Sequence, residues 1–164
     1  MATGPRYKVA FRRRRETRTN YYTRKKLLTS RETRAVVRRS NKNISVQFAD
    51  FAMEGDKIVA SACTKELVKL GWEYSTSSVP AAYLVGYLAG KKALKADIEY
   101  AVLDLGMQNP QHGGVLFAVV KGMIDAGVEI PASEDVFPAE DRLAGKHIDE
   151  AIEAKVDEIK SKME

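Results

Sequence analysis

Apolar and polar positions follow two periods along this chain, and the switches between them mark out its elements. Ile44, Val46 and Phe48 point one way and Ser45, Gln47 and Ala49 the other, the period-two signature of a half-buried strand. The preceding run 34–39 (RAVVRR) also reads as a strand, with turn chemistry at Ser40-Asn41-Lys42. Glu54-Gly55-Asp56 marks a second turn and 57–63 a third strand, so the three form an antiparallel meander. The period then lengthens. Thr64 is placed to cap a short helix to Leu70, with Gly71 as its stop. Ser78-Val79-Pro80 opens a longer helix to about residue 96, since proline is tolerated where the N–H has no intrahelical partner.

That helix is rich in small residues. Gly86 and Gly90 share one face, which predicts close packing on the sheet. Residues 99–105 (EYAVLDL) read as a further strand, 106–114 as a glycine-bearing loop, and 115–126 as an apolar helix closed by Gly127. Residues 128–130 before Pro131 suggest a last short strand. An acidic stretch after Pro131 reads as irregular surface. Over 146–163, Ile148, Ile152, Val156, Ile159 and Met163 fall on one stripe of an amphipathic helix, expected to face its own domain, with Glu158 and Lys162 as an i,i+4 pair. The predicted fold is α/β: a mixed sheet with a three-stranded antiparallel meander, helices on both faces, a basic N-terminal arm and a C-terminal amphipathic helix. The expected division is an arm over 1–33, a core over 34–131 and an acidic extension over 132–164.

Charge changes the picture most. The first 42 residues hold 15 of the 27 Lys and Arg but only 2 of the 22 Asp and Glu. The rest of the chain is net acidic, so the field is localised and directed at a polyanion. Arginine outnumbers lysine in the arm by 11 to 4, and Tyr7, Phe11, Tyr21 and Tyr22 are interleaved. Guanidinium suits bidentate phosphate contact, and aromatic rings offer stacking faces, which favours nucleic acid. No Gly or Pro interrupts 12–28, so a helix there is open to the chain, with Leu27 and Leu28 docking it on the body. The early arm is expected to order with its polyanion, because so much like charge cannot collapse alone.

Other chemistry is thin. No apolar run approaches the roughly 20 residues of a membrane span. The N-terminus lacks the apolar stretch of a secretory signal, and Pro5 and the long basic run fit a mitochondrial presequence poorly. The single cysteine, Cys63, excludes an internal disulfide, suits a reducing cytosol, and reads as a small buried hydrophobe. His112 and His147 lie far apart with no cysteine pair, so no zinc site is expected. The 106–114 loop matches neither GxGxxG nor GxxxxGK[ST] and reads as a connection. Glu134, Asp135, Glu140 and Asp141 lack an EF-hand pattern and read as solvated surface. Neither cofactor nor metal is expected.

Six segments together resemble the family of large-subunit ribosomal protein eighteen, in its archaeal and eukaryotic form. They are ATGPRYKV; RRRRE with Arg18, Tyr21 and Leu27-Leu28; SNKNISVQ; GWEYSTSSVPAAYLVGYLAGKKA; EYAVLDLG; and FAVVKGMIDAGVEIP. The resemblance covers residues 2–150 in order. It implies a non-enzymatic, cytoplasmic binder of 5S rRNA in the central protuberance of the large ribosomal subunit, touching large-subunit rRNA and neighbouring ribosomal proteins. It also implies a ribonuclease-H-like three-layer body. The eukaryotic relatives run longer at the C-terminus, so an archaeal-type source is expected. Nucleases of that fold carry a metal-binding carboxylate on the first strand, where 34–40 has none, and Asp104 stands as a lone acid on a later strand. The alternative, an RNA-processing or RNA-modifying enzyme with a basic delivery arm, would need partners for Asp104. With the arm's charge, the resemblance assigns phosphate contacts to Arg6, Lys8, Arg12, Arg13, Arg14, Arg15, Arg18, Arg24, Lys25 and Lys26. Tyr7, Tyr21 and Tyr22 would stack, and Arg38, Arg39, Asn41 and Lys42 would extend the contact onto the first hairpin.

Overall fold

The computed structural model describes residues 4–163; residues 1–3 of the predicted arm lie outside the described residues, as does Glu164. Two short helices come first, α1 (Arg12–Arg15) and α2 (Tyr21–Thr29). The helix open to 12–28 is therefore broken. The chain turns at residues 16–20, with Thr17 at φ 53°, and Asn20 caps a fresh start by accepting from the N–H groups of Tyr22 and Thr23.

The meander forms as expected from β1 (Arg34–Arg39), β2 (Ile44–Asp50) and β3 (Lys57–Cys63). Then follow α3 (Thr64–Lys69), α4 (Val79–Leu94), β4 (Val102–Asp104), α5 (Val115–Asp125), α6 (Glu140–Ala144) and α7 (Glu150–Met163). The sheet order is β3-β2-β1-β4, with β4 parallel to β1 and the other pairs antiparallel. Pairing Ala35 with Phe48 and Val37 with Val46 puts one apolar face under α4 and α5. The opposite face carries Arg34, Val36 and Arg38 beside Ala49, Gln47 and Ser45, and α2 lies over it. Helices thus cover both faces.

Several expectations are corrected. The strand over 99–105 shrinks to three residues, and 128–130 makes a single bridge, Glu129 to Tyr100, rather than a strand. The stretch after Pro131 contains a 3-10 turn (Glu134–Val136) and α6. Helix α7 starts at Glu150, leaving Ile148 exposed, while Ile152, Val156, Ile159 and Met163 are buried in the core of their own domain. Cys63 is half-buried and stands at the N-cap of α3, where the Glu66 carboxylate accepts from its N–H at 3.1 Å. Thr64 is not that cap. Its buried hydroxyl accepts from the Ile44 N–H at 3.0 Å and ties α3 to β2.

The two glycines of α4, Gly86 and Gly90, meet α5, not the sheet. A Cβ on Gly86 would lie 2.1 Å from the Val119 carbonyl oxygen, and one on Gly122 2.2 Å from that of Tyr83. The two helix backbones touch, and α4 is buried nearly all round between the sheet, α5, α6 and α7. The Tyr83 hydroxyl, which donates to Asp125 at 2.9 Å and accepts from Lys160 at 3.0 Å, links α4, α5 and α7. Among the described residues no helix is long and apolar enough to cross a membrane.

Candidate nucleic-acid interface

The open face of the sheet holds a row of alternating charges. Arg24 of α2 donates through both Nη atoms to Asp56 at 2.9 and 2.8 Å. Arg34 reaches the same carboxylate at 2.6 Å through Nη2 and Asp104 at 3.0 Å through Nη1. Arg38 closes the row, donating to the Asp104 carboxylate at 3.0 Å and to its carbonyl at 2.6 Å. The parallel pairing of β4 to β1 sets Asp104 beside Val36, between the two strand arginines. Gly106 completes the corner at φ +65°, its N–H donating to Asp104 at 2.9 Å, and a Cβ there would strike the Arg38 guanidinium at 2.8 Å.

Burial gives this row its force. Arg34 and Asp104 are almost inaccessible, so each charge stands or falls with its partners. The hydrogen bond from Arg24 holds Asp56 below the usual carboxylate range, assisted by Arg34 and opposed by burial. The same bond raises Arg24. Asp104 thus stands between Arg34 and Arg38 in an ion-pair row, with both carboxylate oxygens engaged. Among the described residues no three His, Cys, Asp or Glu side chains gather as metal ligands.

Most of the remaining predicted contact residues lie at the surface, with Arg13 and Arg18 bordering the row. Arg6, Lys8, Arg12, Arg13, Arg14, Arg15, Arg18, Lys25, Lys26, Arg39, Asn41 and Lys42 are all exposed. Arg24 and Arg38 are the two members of the predicted set that are half-buried, each hydrogen-bonded to a carboxylate. Glu16 draws in Arg12 at 3.9 Å and Arg18 at 3.4 Å, and Arg13 donates to Thr19 at 2.9 Å. Tyr7, Tyr21 and Tyr22 are exposed, and Lys26 sits 4.6 Å from the centre of the Tyr22 ring.

The structure adds a third limb that sequence reasoning missed. The loop after β4 is pinned to the end of β1. Gln108 accepts from the Arg39 N–H at 3.0 Å and donates to the Arg39 carbonyl at 2.5 Å. Arg14 reaches the Met107 sulfur at 3.9 Å, so arm, loop and first hairpin meet on one side. Nothing in the local pattern foretold this, because loop and strand lie 69 positions apart. Asp56 was equally hidden, reading as turn chemistry.

A three-layer α/β body with a basic helix, α2, over one sheet face defines a basic-armed scaffold. Comparison with known proteins gives the family. The model of the ribosomal large subunit proteins 60S L5 and 50S L18 matches residues 5–99. The large ribosomal subunit protein uL18 of Korarchaeum cryptofilum is 51% identical over 148 residues, 90% of this chain and 76% of that protein. That of Methanoregula boonei is 52% identical over 148 residues, covering 90% and 85%. That of Natronomonas pharaonis is 48% identical over 161 residues, covering 98% and 88%. The chain belongs to this family of archaeal-type large-subunit ribosomal proteins, a family of structural proteins rather than enzymes.

Proposed function

We propose that the chain binds 5S rRNA and helps attach it to the large-subunit rRNA in the central protuberance of the cytoplasmic ribosome, beside neighbouring large-subunit proteins. What carries this reading is the cluster of exposed cations and aromatic rings on α1, α2 and the end of the first hairpin. In this reading residues 1–33 form the RNA-binding arm, 34–131 the scaffold, and 132–164 an acidic extension turned from RNA. Arg6, Lys8, Arg12, Arg13, Arg14, Arg15, Arg18, Lys25, Lys26, Arg39 and Lys42 neutralise phosphates, and Asn41 joins them from the hairpin. Tyr7, Tyr21 and Tyr22 stack. Arg24 and Arg38, held by Asp56 and Asp104, shape the surface from below.

The test is 5S rRNA binding by the full chain at two salt concentrations, with and without residues 1–30. Engaging roughly six to ten phosphates lowers affinity about 10³–10⁵-fold between about 50 and 200 mM salt, by the rule for duplex DNA. Binding indifferent to salt, or to loss of the arm, would falsify the assignment.

A further inference from the structure

We propose that a cleft on the arm, walled by Val9, Phe11, Tyr21 and Tyr22, receives one unpaired nucleobase. This rests on the RNA-binding reading above and gives it a specific site. The cleft has a volume of about 310 Å³ and lies between the strand-like segment before α1 and the first turn of α2. Phe11 is 74% exposed, Tyr22 70% and Val9 66%, the density of bare apolar surface that marks a binding site. Phe11 is held edge-on to Tyr21, with ring centres 5.3 Å apart and planes at 66°. Its ring is oriented while most of its surface stays open.

The surroundings select the occupant. Lys8 and Arg14 line the cleft, and the adjoining run of arginines makes the whole arm cationic. An apolar protein side chain would gain the same rings but nothing from those charges. A nucleotide uses both, its base against the rings and its phosphates against the cations. The base must be unpaired, because a duplex keeps its faces stacked internally. Asn20 lines the cleft as well. Its Oδ1 is committed to the Tyr22 and Thr23 N–H groups, so its amide NH₂ is the end left to donate to an acceptor on the base edge.

Affinity of the full chain for 5S rRNA should fall about 5- to 150-fold for Phe11→Ala, the range of one stacked base. Phe11→Leu should lose nearly as much, since it keeps apolar bulk but no ring, and Phe11→Tyr should bind like the parent. The slope of log affinity against log salt should stay unchanged for Phe11→Ala and fall by about one for Arg14→Gln, which removes a phosphate contact. A photoreactive phenylalanine analogue at position 11 should crosslink to an unpaired nucleotide in the assembled subunit. Parental affinity for Phe11→Ala or Phe11→Leu, or a crosslink to protein or to paired RNA, overturns the cleft assignment while the RNA-binding reading stands. A parent chain that binds no 5S rRNA overturns both.

Discussion

Arg34 and Asp104 are the charged side chains that the fold buries among the described residues, and they are 70 positions apart in sequence. Neither is legible alone. Arg34 reads as the first residue of a strand and Asp104 as a stray acid, and only the parallel pairing of β4 to β1 makes them partners. Removing Asp104 leaves the buried Arg34 with Asp56 as its one remaining carboxylate in a low-dielectric site. Asp104→Ala is expected to cost about 3–5 kcal/mol in urea unfolding, whereas replacing both with apolar residues of similar volume should recover most of that. Gly122 makes a steric counterpart. Alanine is favoured over glycine inside a helix by about 1 kcal/mol. Here its Cβ would meet the Tyr83 carbonyl oxygen at 2.2 Å and the Tyr87 nitrogen at 2.8 Å, backbone atoms that cannot retreat alone. Overpacking of this kind costs about 1–3 kcal/mol, so Gly122→Ala should lower the unfolding midpoint despite its better propensity.

Helix α2 has no buried residue and owes its position to a clasp, the bidentate bond from Arg24 to Asp56. Removing a negative charge near the proposed RNA-binding arm would ordinarily tighten binding. Asp56→Asn is expected to weaken it instead, because the arm loses its attachment to the sheet. Faster hydrogen exchange in α2, with slower exchange retained in α4 and α5, would separate loosening of the arm from unfolding of the body. The pH dependence has a definite sign. Asp56 is held below its ordinary 3.8, so its contribution is complete above that value and fades as pH falls through the lower folded one. Amide shifts of α2 should therefore be steady from neutrality down to about pH 4 and move below it; movement near pH 6 would exclude Asp56 as the holding group. The meander, the proline-started α4 and the stripe of α7 were legible in sequence because each rests on local periodicity. The shortening of β4 and the seat of the glycine face on α5 were not, because tertiary contacts set them, and the break at Thr17 was missed although the Asn20 cap that restarts the helix is local. At the interface the exposed cations could be read from composition, whereas the clasp and the Gln108 pin could not.

The uneven charge along the chain becomes an uneven charge in space. The basic arm lies over the open face of the sheet, while α6 and α7 pack against α4 on the opposite side. Tyr83, Asp125 and Lys160 lock that far side together, with burial raising the Tyr83 hydroxyl pKa. Non-specific RNA binding is set almost wholly by charge, so under the proposed function an acidic far side would confine RNA to the face where shape and stacking can select it. Glu140 and Asp157 are exposed there and have no ion-pair partner among the described residues. Changing both to lysine raises the formal charge of +5 by four without breaking an ion pair. Stability should hardly move, since exposed charges contribute little. Affinity for an unrelated structured RNA should rise severalfold and become steeper in salt, with affinity for 5S rRNA rising less, so the ratio between them should fall. Competition binding at a fixed salt concentration reads that ratio directly, and an unchanged ratio would mean that the arm alone sets specificity.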